Sequence, residues 1–287
     1  MRLFDVLLES NIYISLAAVF LTIETQIQLG MKPQWHPYLF IIFFATLFEY
    51  NLQRLIIVVS NKKALQSDKH KWLRDHLNTF YVLVFISVAG FVSFVSMAQR
   101  DVLITLLPIA IITLFYSTPV FGKKNIFRLR EIPYLKIFLI SFVWSTSTIM
   151  LPIIQSDIRY NWITILIMTL ERFLFVFAIT IPFDIRDRES DRQAGLKTIP
   201  MLLTENKSFA IAYLALFSFF LISFFHYQLL HYRIMVISVS ISALTTFLIL
   251  YSKKMRTMQF YHYGILDGSM LFQGLLVVIV YLLRFNL

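Results

Sequence analysis

The segment Phe183–Gly195, FDIRDRESDRQAG, lies between Pro182 and Pro200 and follows a long apolar run. Asp184, Asp187 and Asp191 are spaced i, i+3, i+7, so on a continuing helix their carboxylates fall on one side, within about 60° of one another. Three clustered carboxylates repel unless a cation sits among them. Magnesium suits such a place, because it takes oxygen ligands and is usually held by one or two carboxylates together with substrate phosphates. The cluster reads as a clamp for a metal and a diphosphate at a membrane surface. It also reads as a solvated loop in which Arg186, Arg188 and Arg192 neutralise Asp184, Asp187, Glu189 and Asp191.

Working outward, the chain has 287 residues, 58% hydrophobic and 15% charged, a balance foreign to a soluble domain. It reads as an all-α, polytopic membrane protein in a single domain, 1–287. A helix needs about 20 apolar residues to cross the hydrocarbon core. Nine runs qualify, near 11–29, 37–59, 77–98, 101–117, 134–153, 161–181, 208–229, 232–251 and 262–284. With the N-terminus inside, 18 of the 26 Lys and Arg fall on the cytoplasmic side, five on the other side and three within spans. That bias predicts N-in, C-out by the positive-inside rule. It also explains most of the +10 net charge without nucleic acid, and gives a face that attracts anionic lipid headgroups or an anionic substrate.

There is no cysteine, which excludes disulfides and thiolate chemistry. The start, MRLFDVLLESN, carries Asp5 and Glu9 and no small-residue cleavage site, so the first span is expected to stay in the protein. The second span contains Glu49, Asn51, Gln53 and Arg54, a polar load that is costly in lipid and marks either a site or bridges between helices. Glu24, Glu171 and Arg172 read as structural, with Glu24 or Glu49 as partners for Arg172. After the fourth span, FYSTPVFGKKNIFRLREIP gathers Tyr116, Lys123, Lys124, Arg128 and Arg130 around Gly122. Such a loop suits a diphosphate, which Lys meets as a point charge and Arg as a fork. Basic loops on this side are equally demanded by topology.

At Asp184 to Pro200 the sequence resembles the intramembrane prenyltransferases of the UbiA type. Their second acidic motif, D-x-x-D-x-x-x-D with a following Gly, basic residue, Thr and Pro, is matched by Asp184, Asp187, Asp191, Gly195, Lys197, Thr198 and Pro200. The acidic loop after the sixth span, Tyr116 and Lys123 after the fourth, and the closing YHYGILDG add to the likeness. The resemblance implies a bundle of nine membrane helices around a central cavity, with its site facing the cytoplasm of a bacterial inner membrane. It implies Mg²⁺ on Asp184, Asp187 and Asp191, and a prenyl diphosphate bound by Lys123, Lys124, Arg128 and Lys197 with help from Tyr116. It further implies transfer of the prenyl group to a hydrophobic acceptor.

The departure lies in the second span. The family's first motif reads N-D-x-x-D-x-x-x-D; with Asn51 matched to its Asn, the acidic positions fall on the apolar Leu52, Leu55 and Val59. Arg54 is the candidate to meet the diphosphate directly there, beside Asn51. Two function classes follow: a prenyltransferase, or a catalytically inactive homologue that binds an isoprenoid lipid or scaffolds a membrane complex. Intramembrane charge also raises a transporter, but the seven glycines and eight prolines of the chain fall mostly in loops, giving few of the broken helices that transport uses.

Overall fold

A computed structural model describes residues 3–60, 76–117, 129, 132–156, 158–193 and 195–285. Every regular element among them is helical: α1 (Leu3–Glu9), α2 (Ile12–Gln28), α3 (Pro37–Ser60), α4 (Leu77–Val95), α5 (Arg100–Ser117), α6 (Leu135–Gln155), α7 (Trp162–Arg186), α8 (Arg188–Gln193), α9 (Ile199–Leu202), α10 (Glu205–Leu229), α11 (Arg233–Tyr251), α12 (Lys253–Arg256), a π-helix (Tyr261–Leu266) and α13 (Asp267–Phe285). The starts follow from local chemistry. Asn161 caps α7 by accepting from the Ile163 amide at 3.0 Å, and Thr204 caps α10 through the Lys207 amide.

Seven helices among the described residues are long and apolar enough to cross a membrane: those over Pro37–Ile56, Leu77–Val95, Leu135–Gln155, Trp162–Arg186, Glu205–Leu229, Arg233–Tyr251 and Tyr261–Leu283. The two other expected spans are helices as well, α2 and α5, at the expected places. At 17 residues α2 is short against the roughly 20 that a crossing needs, and α5 opens on Arg100 and Asp101 and contains Pro108.

Among the described residues the long helices pack in sequence as a ring open between α4 and α5: α2 on α3, α3 on α4, α5 on α6, α6 on α7, α7 on α10, α10 on α11, and α11 on α13, which returns to α2. The α2–α13 contact is the tightest fit. A Cβ on Gly274 would sit 2.5 Å from the Phe20 backbone, and one on Gly268 2.6 Å from the Tyr13 hydroxyl, the small-residue device by which helices approach in lipid. Buried Ala17, Ala18, Ala212 and Ala215 serve the neighbouring contacts.

Buried charge clamps the far end of the bundle. Arg172 Nη2 lies 3.2 Å from Glu24 Oε1 and its Nη1 donates to the Leu21 carbonyl at 2.9 Å, while Gln273 Nε2 donates to Glu24 at 3.0 Å. The partner expected for Arg172 is therefore Glu24. Glu171, on the adjoining face, meets His226 at 2.8 Å and accepts from the Tyr227 hydroxyl at 3.1 Å. These six side chains tie α2, α7, α10 and α13 together.

Candidate active site

At the opposite end of the ring a cavity of about 1280 Å³ opens among α1 to α7 and α13. Its mouth is polar, with Glu9, Glu49, Arg54, Lys136, Asp184, Arg186, Asp187, Asp191 and Asp267 in the wall; its depth is apolar, with Ile41, Ile42, Phe48, Phe91, Val143, Trp144 and Val176. On α3 the lining extends from Ile56 to Ile41, and its stretch from Arg54 inward is, at 1.5 Å per residue, a trough of about 20 Å.

The acidic segment is not one continuous helix. Past Pro182, α7 continues to Arg186 and stops at Asp187, and α8 restarts at Arg188, with the Asp191 amide bonded to the Asp187 carbonyl at 2.8 Å. The break sorts the three carboxylates. Asp184 and Asp191 converge on Lys136 Nζ, at 2.8 and 3.0 Å. Asp187 turns away, both its oxygens held at 2.8 Å by the Nε and Nη2 of Arg186. Beyond the break Asp191 is buried, while Arg192 and Glu189 on the outer face of α8 are largely exposed and sit 3.6 Å apart, the neutralised surface pair of the alternative expectation.

Lys136, at the start of α6, was visible in the sequence only as a charge inside a span; an ionisable side chain in a membrane helix is itself the signal that marks such a site. Two carboxylates around an ammonium leave one opening for a metal. Asp184 Oδ2 is buried with no hydrogen-bond partner among the described residues, and it lies at the cavity wall. Asp184 and Asp191 therefore fit a single hard cation that completes its shell with water and phosphate oxygens. No group of three or more Asp, Glu, His or Cys side chains that could hold a metal occurs among the described residues.

The wall facing this pair carries arginine. Arg54 Nη1 lies 3.1 Å from Glu9 Oε2 and 2.8 Å from the Glu9 carbonyl. The Arg54 guanidinium stands over the Tyr263 ring at 5.3 Å, and that of Arg186 over the same ring at 4.9 Å. Tyr263 is presented by the π-helix, whose wide turn is of a kind often found at functional sites, and which Tyr13 holds through its hydroxyl on the Gly264 carbonyl at 3.3 Å.

Of the other expected residues, Tyr116 lines the cavity. Asn51 does not: it is fully buried in helix packing, accepting from Asn11 at 2.9 Å and donating to the carbonyls of Ser10 and Leu47. Lys197 is exposed, and its carbonyl accepts from the Tyr134 amide at 2.8 Å, anchoring the loop to the start of α6. Lys123, Lys124 and Arg128 lie outside the described residues.

The model of the UbiA prenyltransferase family matches residues 73–281. The chain belongs to the UbiA prenyltransferase family. A comparison with curated protein sequences finds no match. Solved structures share the UbiA fold along nearly the whole length. A UbiA homologue from Aeropyrum pernix K1 in its apo form is 14% identical with a TM-score of 0.64, covering 99% of each chain. A UbiA homologue from Archaeoglobus fulgidus bound to GPP and Mg²⁺ is 13% identical with a TM-score of 0.56, over 93% of this chain and 99% of that one. A structure described for digeranylgeranylglyceryl phosphate synthase is 15% identical, TM-score 0.56, over 94% and 97%. At these identities the likeness is one of fold.

Proposed function

We propose that this protein is a UbiA-type prenyltransferase that moves a prenyl group from an isoprenoid diphosphate to a hydrophobic acceptor. The supporting observation is a single cavity that places the Asp184/Asp191/Lys136 cluster at the head of an apolar trough. An extended isoprene unit spans about 5 Å, from four bonds near 1.5 Å in zigzag, so a trough of about 20 Å suits roughly three to four units. The whole chain acts as one domain, with α2 and α5 also crossing the membrane, N-in and C-out, and the polar mouth facing the cytoplasm of a bacterial inner membrane.

In the reaction the allylic C–O bond breaks, its electron pair leaving on the diphosphate. The acceptor's nucleophilic atom then forms the new bond to carbon, and the acceptor's proton passes to the released diphosphate or to water. Asp184 and Asp191 would hold Mg²⁺, which when bound supplies charge stabilisation to the departing oxygens. Lys136 keeps the two carboxylates in place and adds a fixed positive charge at the same spot, the kind of preorganised field that is worth most where water is excluded. Tyr116, which lines the cavity from α5, would meet the diphosphate together with Lys123, Lys124 and Arg128 of the sequence that follows it.

The test is release of diphosphate from geranylgeranyl diphosphate with Mg²⁺ and a panel of phenolic, quinone-precursor and glycerol phosphate acceptors, wild type beside Asp184→Asn. Release that the substitution lowers by about 100-fold or more, as for lost charge stabilisation of a transition state, supports the transferase. The apolar Leu52 and Leu55 in place of acids favour the inactive homologue as a second reading, and binding with no release across the panel would support that one.

A further inference from the structure

Resting on the diphosphate reading above, we infer that this protein grips the diphosphate with one metal ion only, at Asp184 and Asp191, and that Arg54 and Arg186 take the remaining phosphate charge directly at the Tyr263 ring. Charge accounting leads there. A prenyl diphosphate brings about three negative charges at neutral pH, its terminal phosphate having a second pKa near 6; together with Asp184, Asp191, Lys136 and one divalent cation that leaves about two negative charges uncompensated in a cavity of low dielectric. On α3 the positions of Leu52 and Leu55 offer no carboxylate to a second cation, Leu55 is buried, and the one acid of that helix in the wall, Glu49, accepts from Gln53 at 2.7 Å. Asp187, the third acid of the segment, is bound on both oxygens by Arg186.

What the mouth offers instead is two guanidiniums sharing one ring, Arg54 from α3 and Arg186 from the end of α7, a geometry that keeps their centres within about 10 Å of each other. Neither is used up by its carboxylate. Guanidinium carries five N–H donors in a fixed fork. Glu9 meets Arg54 through Nη1 alone, and Arg186 Nη1 is buried with no hydrogen-bond partner among the described residues. An unsatisfied buried N–H of a charged group is costly, and a phosphate oxygen at the mouth of the cavity removes that cost. Arg is also the side chain whose planar fork matches phosphate in two contacts at once.

The experiment uses the full chain in nanodiscs with an unreactive prenyl thiolodiphosphate as probe, binding being measured in Mg²⁺ and again in excess EDTA, with bound Mn²⁺ counted by electron paramagnetic resonance. The inference expects one Mn²⁺ per bound probe and measurable affinity after chelation. Arg54→Gln and Arg186→Gln should each weaken the metal-free binding by about 10–100-fold, the loss of a charged hydrogen bond, with the Mn²⁺ count still one. Arg54→Lys and Arg186→Lys keep the positive charge that Glu9 and Asp187 need, so they decide the matter if the Gln variants fail to fold; each should recover part of the metal-free binding. Two Mn²⁺ per probe, or no affinity after chelation beside wild-type affinity of the Gln variants in Mg²⁺, overturns the inference and leaves the transferase reading intact. Absence of binding with and without metal overturns both.

Discussion

Lys136 holds two acids that would otherwise repel. Asp184 is almost fully buried and Lys136 largely so, and removing one partner of a buried ion cluster costs about 3–5 kcal/mol. Lys136→Met is therefore expected to lower the melting temperature in detergent, and millimolar Mg²⁺ should raise the variant's melting temperature more than the wild type's, since a metal ion replaces the missing ammonium. Equal shifts in the two proteins would argue against a metal bound at the Asp184/Asp191 pair. Asn51 makes the opposite case. Its amide is spent on Asn11, Ser10 and Leu47, so Asn51→Leu should cost about 1–3 kcal/mol of stability while changing prenyl diphosphate affinity by less than about threefold, as titration of the purified variant would show.

Between elements, the close seam of α2 and α13 makes a sharper demand. Gly274→Val must move Phe20 backbone, not a flexible side-chain tip, and an overpacked contact of this kind costs about 1–3 kcal/mol; thermal unfolding should show it, and an unchanged midpoint would mean the helices slide apart freely. Much of this level could be read from the chain. Runs of apolar residues bounded by charge give helices in lipid because nothing else there satisfies the backbone, and the partner of Arg172 was narrowed to Glu24 or Glu49 by the cost of burying it alone. The site was half legible. The spacing of Asp184 and Asp191 brought them together, but the break at Asp187 depends on Arg186 capturing its neighbour, which spacing does not encode. Tyr263 stayed hidden because its meeting with Arg54 joins residues far apart in sequence through a π-helical turn, and no local pattern announces either.

For the molecule as a whole, the absence of cysteine makes topology directly testable. Ser190→Cys and Thr257→Cys should react with a membrane-impermeant maleimide only from the cytoplasmic side of oriented vesicles, and Asn161→Cys only from the other; reversed labelling would invert the orientation drawn from the charge bias. One wall of the cavity brings a different consequence. In α4 only Phe80 and Ser87 are buried; Tyr81, Val82, Phe85 and Val92 are exposed, and Val88 and Phe91 line the cavity. This helix packs on α3, where Phe94 stacks on Phe40 and Phe44, and leaves the rest of its outer face to the acyl chains. The width of the trough is then a joint property of protein and bilayer: thinner or more fluid lipid lets the wall relax, and the prenyl lengths accepted in native membrane and in detergent micelles need not coincide.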